Sequence, residues 1–262
     1  MFLTSVIIVL REVLEAALLL SIFFSVATRM LYSRRWLAVA VASGIVAAIL
    51  YGNSIGPISE AFDGIGQELL NAAIQLIIAA ILYFVVIKIA VSRSIDKSKT
   101  SLGIAMGIAI VLAITREGSE IYIYLVGFIH IKDAFNSVVF GGLLGAGIGF
   151  SIGALFFFWL LAIPLQKISI TISILLSAVA AGMVSQAINL FIQVDWLSAQ
   201  QPVINMENWL PESSIPGQLL YALVGYESRP GALQLTCYLA TFFSLLFVSL
   251  LGYYFNHAKN PR

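Results

Sequence analysis

The chain has 262 residues, a formal net charge of +1, 60% hydrophobic and 10% charged residues, and a mean hydropathy of +0.99. A soluble domain is about 45–50% apolar and about 25% charged, so this composition describes a multi-pass protein embedded in a lipid bilayer. Near-neutral charge excludes a nucleic-acid partner, which needs a basic patch, and the lone Cys237 excludes an intrachain disulfide framework and thiolate metal clusters.

The N-terminus lacks the positive n-region and small-residue cleavage site of a signal peptide, so it reads as a retained first helix. Apolar runs long enough to span, about 20 residues, fall at 3–27, 36–55, 69–91, 101–130, 138–162, 170–193 and 234–256. They predict an all-α membrane protein of seven transmembrane helices. Arg29, Arg34 and Arg35 follow the first run; Lys88, Arg93, Lys97 and Lys99 surround the third turn; Lys167 lies between the fifth and sixth runs; His257, Lys259 and Arg262 close the chain. The other connections are acidic, with Glu60, Asp63 and Glu68, then Asp195, Glu207, Glu212 and Glu227. The positive-inside rule therefore predicts the N-terminus outside and the C-terminus inside, which an odd number of spans also requires.

One connection is long, about 195–233, and rich in Pro, Trp, Asn and Ser. Its length suits a lid or docking surface, with a passive surface loop carrying an interfacial helix around 216–225 as the plainer reading. Cys237 reads as a buried small hydrophobe.

Two short stretches break the apolar pattern: "REVLE" at Arg11 to Glu15 and "REGSE" at Arg116 to Glu120. Each opens a group of three helices. Three is odd, so the second group enters the membrane from the opposite side, the signature of an inverted-repeat transporter with its site near the midplane. The chain thus divides into a first repeat (about 1–95), a second (about 96–194), the external loop (about 195–233) and a seventh helix (about 234–256), within one transmembrane domain over 1–262.

Residues three and four apart share a helix face, so Glu12, Glu15 and Arg11 face one way, as do Glu117, Glu120 and Arg116. Each charge near the bilayer centre costs roughly 2.5–3.5 kcal/mol on translocon scales, so six of them must face each other, water or a passing ion. Private i,i+4 pairs would satisfy Glu15 with Arg11 and Glu120 with Arg116, and would leave Glu12 and Glu117 over. Four carboxylates against two guanidiniums leave a surplus of two negative charges, which suits a cation site. Carboxylate oxygens without thiolates favour hard ions, ferric iron foremost, with ferrous iron, manganese and calcium open on chemistry alone. The arginines would hold the carboxylates ionised and oriented in the empty site.

Other polar positions are candidate access or pathway residues. Glu60, Asp63 and Glu68 gather before the third helix, as collectors of cations or as a solvated turn. Gln67, Asn71 and Gln75 recur on one face of that helix, and Gln186, Asn189 and Gln193 on the sixth. They either line the pathway or make interhelical hydrogen bonds. Gly141, Gly145, Gly149 and Gly153 form a small-residue ladder on the fifth helix, for packing within one protomer or between copies of a homo-oligomer. Pro164 fits a helix terminus, Lys88 reaches toward the headgroups, and Tyr122 and Tyr124 suit an aromatic belt.

At the two motifs the sequence resembles the iron permease family, which includes fungal high-affinity iron permeases and bacterial iron-uptake permeases. That family carries two R-E-G-x-E-type motifs in its first and fourth helices, in a seven-helix, N-out arrangement. "REGSE" fits well, whereas "REVLE" has Val13 where the family often has Gly, a departure that bears on helix packing rather than ligation. "DGIGQE" (Asp63 to Glu68) and "GYESRPGALQ" (Gly225 to Gln234) also resemble family segments.

The resemblance implies inward movement of iron across the cell (plasma or inner) membrane, carried by Glu12, Glu15, Glu117 and Glu120 with Arg11 and Arg116 in support. It implies no resident cofactor and no enzymatic activity. It also implies an extracytoplasmic ferroxidase or iron-binding protein as a partner that hands over ferric iron. A divalent-cation or lead permease and a non-transporting metal sensor are the alternatives. The H-E-x-x-H, G-x-G-D and paired Glu-x-x-His patterns of intramembrane enzymes are missing from the sequence.

Overall fold

A computed structural model describes residues 1–29, 35–91 and 95–258. Arg34, Arg93, Lys259 and Arg262 lie outside the described residues, and of Lys97, Lys99 and His257 only the backbone is described. The elements are α1 (Phe2–Arg29), α2 (Arg35–Ala61), α3 (Gly66–Val91), α4 (Ile95–Gly127), α5 (Lys132–Ala162), α6 (Leu165–Gln193), α7 (Ile215–Val224) and α8 (Ala232–Ala258).

Six of these, α2 to α6 and α8, are long and apolar enough to cross a membrane. Helix α1 matches them in length, at 28 residues, but carries Arg11, Glu12 and Glu15 near its middle. Several helices outrun the apolar segments that predict them. Helix α5 begins at Lys132 instead of 138, and α4 at Ile95 instead of 101. Backbone hydrogen bonding continues through polar residues, whereas an apolar run marks only the part facing hydrocarbon. Helix α2 runs on through Pro57 to Ala61. A residue before proline normally avoids helical angles because its Cβ is crowded, and Gly56 has no Cβ.

Contacts divide the chain into two compact units. The first comprises Met1–Gln67 and Ile110–Ala162, and α1 is its centre: Leu14, Leu18, Ile22 and Phe23 are all 2% exposed or less. The glycine ladder of α5 lies against this helix. A Cβ on Gly141 would stand 2.5 Å from the Phe2 carbonyl oxygen, on Gly145 2.4 Å from that of Val6, and on Gly153 2.8 Å from the Ala17 Cβ. Backbones this close need glycine. The ladder therefore serves packing within one protomer. Side-chain hydrogen bonds lace the same seam, from Ser5 Oγ to the Val138 carbonyl at 2.6 Å and from Ser21 Oγ to that of Gly153 at 2.8 Å. At the C-terminal end of α1, Arg29 donates to the carbonyls of Leu160 and Leu161.

A second ladder joins α2 to α4. Added Cβ atoms would meet Ile114 from Gly44, Tyr122 from Gly52, and Ala48 from Gly118. Tyr122 also donates to Asn53 Oδ1 at 2.7 Å, so it works in this seam.

The second unit comprises Glu68–Ala109 and Ile163–Arg262. Pro164 forms the N-cap of α6, as its place at a terminus predicts. Buried Gln75 donates to Gln186 Oε1 at 2.7 Å, an interhelical hydrogen bond between α3 and α6. Lys88 lies over the Phe84 ring at 5.4 Å. Cys237 is half-buried on α8 instead of enclosed.

The long connection is folded. Ser214 caps α7 by accepting from the Gly217 amide, and Gly225 ends it in the left-handed conformation, φ 66°. This is the helix predicted around 216–225. Pro202 and Gly231 form an isolated antiparallel bridge, and Tyr226 OH donates to the Leu210 carbonyl at 2.9 Å.

Candidate metal centre

Both motifs lie in the first unit, one on α1 and one on α4. Glu12 and Glu15 share a face of α1, and from α4 Glu117 and Arg116 reach the carboxylates on that face. One carboxylate oxygen from each of Glu12, Glu15 and Glu117 lies within 4.8 Å of the other two. Neighbouring oxygens bound to one divalent first-row ion at about 2.0–2.2 Å are about 3–3.6 Å apart, so the side chains would draw inward to close on a single ion. Glu12 is 6% and Glu117 3% exposed. Carboxylates clustered away from water require a positive charge close by.

Arg116 is the other half of the arrangement. Its Nη1 donates to Glu117 Oε1 at 2.6 Å and reaches Glu15 Oε2 at 3.5 Å; its Nε lies 3.7 Å from Glu120 Oε1. The i,i+4 pairs expected at Arg11–Glu15 and Arg116–Glu120 are present, the former at 3.5 Å. Glu117 is not left over as the spacing suggests. It pairs with its own neighbour Arg116, because the arginine side chain is long enough to fold back beside an adjacent carboxylate. The second oxygen, Glu117 Oε2, is buried and accepts no hydrogen bond.

Glu120 stands apart from the three. It faces Arg116, and its side chain is 31% exposed. The Arg11 side chain is 41% exposed, against 7% for Arg116. Beside the carboxylates is an apolar recess of about 150 Å³, lined by Glu12, Glu117 and residues such as Ala16, Leu20, Ile114 and Phe150.

The glycine of the second motif has a packing role, since a Cβ on Gly118 would stand 2.9 Å from the Ala48 Cβ. At the equivalent place in the first motif, the Val13 side chain fills the space that Gly149 leaves on α5, 2.9 Å from where its Cβ would be. Gly44, Ala48 and Gly52, which bring α4 and its motif close to α2, escaped the sequence reading. Their four-residue spacing is the signal that marks the α5 ladder.

The other candidates are dispersed. Glu60 is exposed in the last turn of α2, and Asp63 is exposed in the following turn with φ 54°. Gln67 and Glu68 are half-buried in the first turn of α3, and Asn71 is buried one turn on. Gln186 belongs to the Gln75 hydrogen bond, Asn189 is half-buried and Gln193 exposed. In the long connection, Glu212 Oε1 accepts from the Ser228 amide and Glu207 Oε2 from the Ser228 hydroxyl. Glu227 accepts from Ser185 at 3.4 Å. Burial, and secondly the charge of Glu212, push the Glu227 carboxyl up to about 7, against hydrogen bonds to Ser185 and Gln234 that lower it.

The model of the iron permease FTR1 family matches residues 2–258. Relatives named ferrous iron permease EfeU align over most of their length. The protein from Escherichia coli O6:H1 (strain CFT073) is 27% identical over 239 residues, 85% of this chain and 86% of that one. Those from Yersinia pestis and Yersinia pseudotuberculosis serotype I are 26% identical over 247 residues, 88% of this chain and 87% and 86% of theirs. No solved structure matches the chain. With the match covering nearly every residue, the chain belongs to the iron permease FTR1 family, and is a multi-pass membrane permease rather than an enzyme.

Proposed function

We propose that the chain imports iron across the cell membrane, and that Glu12, Glu15 and Glu117 hold the ion in transit. The observation that carries this reading is the trio of carboxylate oxygens, from buried Glu12 and Glu117 and half-buried Glu15, within 4.8 Å of one another. The path is proposed to run through seven spans, α1 to α6 and α8, with the N-terminus outside. Helices α1–α3 and α4–α6 form the two inverted repeats, and α7 lies at the outer surface. In this reading the ion leaves most of its water behind, and the carboxylates replace it. The apolar walls beside them keep the site dry, which strengthens each ionic contact.

The form of iron delivered is proposed to be Fe²⁺. The surplus of two negative charges complements a divalent ion, and the name of the aligned relatives supports the same choice. Donor hardness favours Fe³⁺ instead, and that reading requires an oxidising partner outside the membrane, for which the folded 195–233 connection offers a surface. Radiolabelled uptake into proteoliposomes decides between them. Wild type is expected to take up iron offered as Fe²⁺ under ascorbate, and Glu12→Gln and Glu117→Gln are expected to take up none. Uptake of chelated Fe³⁺ alone would reverse the choice of ion. Binding without flux would replace the permease reading with a sensor, and equal flux in the variants would remove the site.

A further inference from the structure

We infer that Arg116 is a tethered stand-in for the transported cation, seated among the carboxylates when the site is empty and displaced toward Glu120 when a metal arrives. The inference rests on the reading of Glu12, Glu15 and Glu117 as the ion site.

The geometry has three parts. Arg116 touches two of the three candidate ligands, Glu117 at 2.6 Å and Glu15 at 3.5 Å, so its positive charge occupies part of the electrostatic role a metal would take. Its other edge, Nε, already faces Glu120 at 3.7 Å. Glu120 is the one motif carboxylate outside the cluster, so a second seat for the guanidinium exists on the same helix face. Glu12 and the unoccupied Glu117 Oε2 border the recess, whose lining does not include Arg116. A cation meeting these two oxygens competes with Arg116 for Glu117 and Glu15.

An exchange of this kind addresses a difficulty common to carriers. Carboxylates clustered in a dry site would repel one another when empty and grip a cation too tightly when full. A guanidinium that returns to Glu117 and Glu15 neutralises the empty site and helps eject the ion. It lowers affinity and raises turnover at once. Arginine suits this better than lysine because its fork reaches two or more carboxylates together, whereas an ammonium is a point charge. Arg116 is thus a positioning residue that acts on the ligands rather than on the ion.

The test compares wild type, Arg116→Gln, Arg116→Lys and Glu120→Gln, each checked for membrane insertion and monodispersity. Equilibrium ⁵⁵Fe²⁺ binding in detergent is set beside KM and kcat of ⁵⁵Fe²⁺ uptake in proteoliposomes. Arg116→Gln is expected to bind about tenfold tighter and turn over at least about tenfold slower, a split that loss of structure does not produce. Arg116→Lys is expected to lie between the two in both quantities. Glu120→Gln, which removes the second seat, is expected to bind about tenfold more weakly with little change in kcat.

Weaker binding with slower turnover in Arg116→Gln, or an Arg116→Lys protein identical to wild type, would overturn the exchange. If those results came with Glu12→Gln and Glu117→Gln still abolishing binding, the exchange alone would fail. If Glu12→Gln and Glu117→Gln bound iron normally, the site itself would be wrong.

Discussion

The two R-E-x-x-E motifs read almost alike, yet the fold treats them differently. In the second, Arg116 is buried and reaches three carboxylates, from both motifs. In the first, Arg11 is 41% exposed and meets Glu15 from the edge at 3.5 Å. The carboxylates divide unevenly too, with both glutamates of the first motif in the cluster and only Glu117 of the second. Even the middle position is reversed: Val13 packs toward a glycine on α5, whereas Gly118 makes room for Ala48 on α2. A repeat in sequence thus supplies two unequal halves, one contributing two of the three clustered carboxylates and the other a single carboxylate with the buried counter-charge.

The strongest way to break this comparison is through the glutamates. Glu12→Gln and Glu117→Gln are each expected to lower initial iron uptake at least about a hundredfold, and Glu120→Gln only about tenfold. Equal losses at all four glutamates would restore a symmetrical site. The packing reversal comes next. Gly118→Val should cost about 1–3 kcal/mol by overpacking against Ala48, and Gly118→Val with Ala48→Gly should recover most of it by copying the Val13–Gly149 pair. Thermal unfolding in detergent measures both, and an uncompensated double variant would show that the glycine matters for another reason.

Arg11→Gln is expected to change uptake by no more than about threefold, since a half-exposed ion pair is worth little; a loss as large as that of Arg116→Gln would make the two arginines equivalent. Glu227, outside both motifs, should give the smallest and most local effect. Its carboxyl is raised to about 7, so between pH 4.5 and about 7 the folded loop holds a proton that the unfolded chain has released. Loop stability is therefore greatest at acid pH and falls as the pH rises through that window. After correction for intrinsic rates, amides 225–231 should exchange more slowly at pH 5 than at pH 8. Glu227→Gln should abolish the difference while leaving uptake unchanged; persistence of the difference would assign it to another group.

Much of this was legible in the residues themselves. Spanning helices follow from apolar length, and the inward-facing charges from the cost of exposing them to hydrocarbon. Helix α7 could be foreseen from a short amphipathic stretch between Pro216 and Gly225. What could not be read is which partner each face meets. The α5 ladder says that some backbone comes close, and only the fold shows that it is α1. The Arg116–Glu117 pair is invisible to an i,i+4 rule because it depends on the arginine side chain folding back. Gln186 looked equally suited to a pathway and to a hydrogen bond until Gln75 was found against it. Spacing encodes direction on one helix, whereas distance across helices depends on packing.

The seam between α1 and α5 also bears on how the protein is made. Ser21 and the Gly153 carbonyl that it bonds are 132 residues apart, so at about 5–20 residues per second α1 is synthesised roughly 7–26 s before its packing partner. For most of that interval its three central charges lack Arg116, which follows Glu15 by 101 residues, and for all of it they lack the α5 backbone. We expect the insertion machinery, rather than lipid, to shelter this helix until the fifth one arrives. A nascent chain halted before residue 132 should therefore leave α1 extractable by alkaline carbonate, and firm integration at that length would disprove the delay.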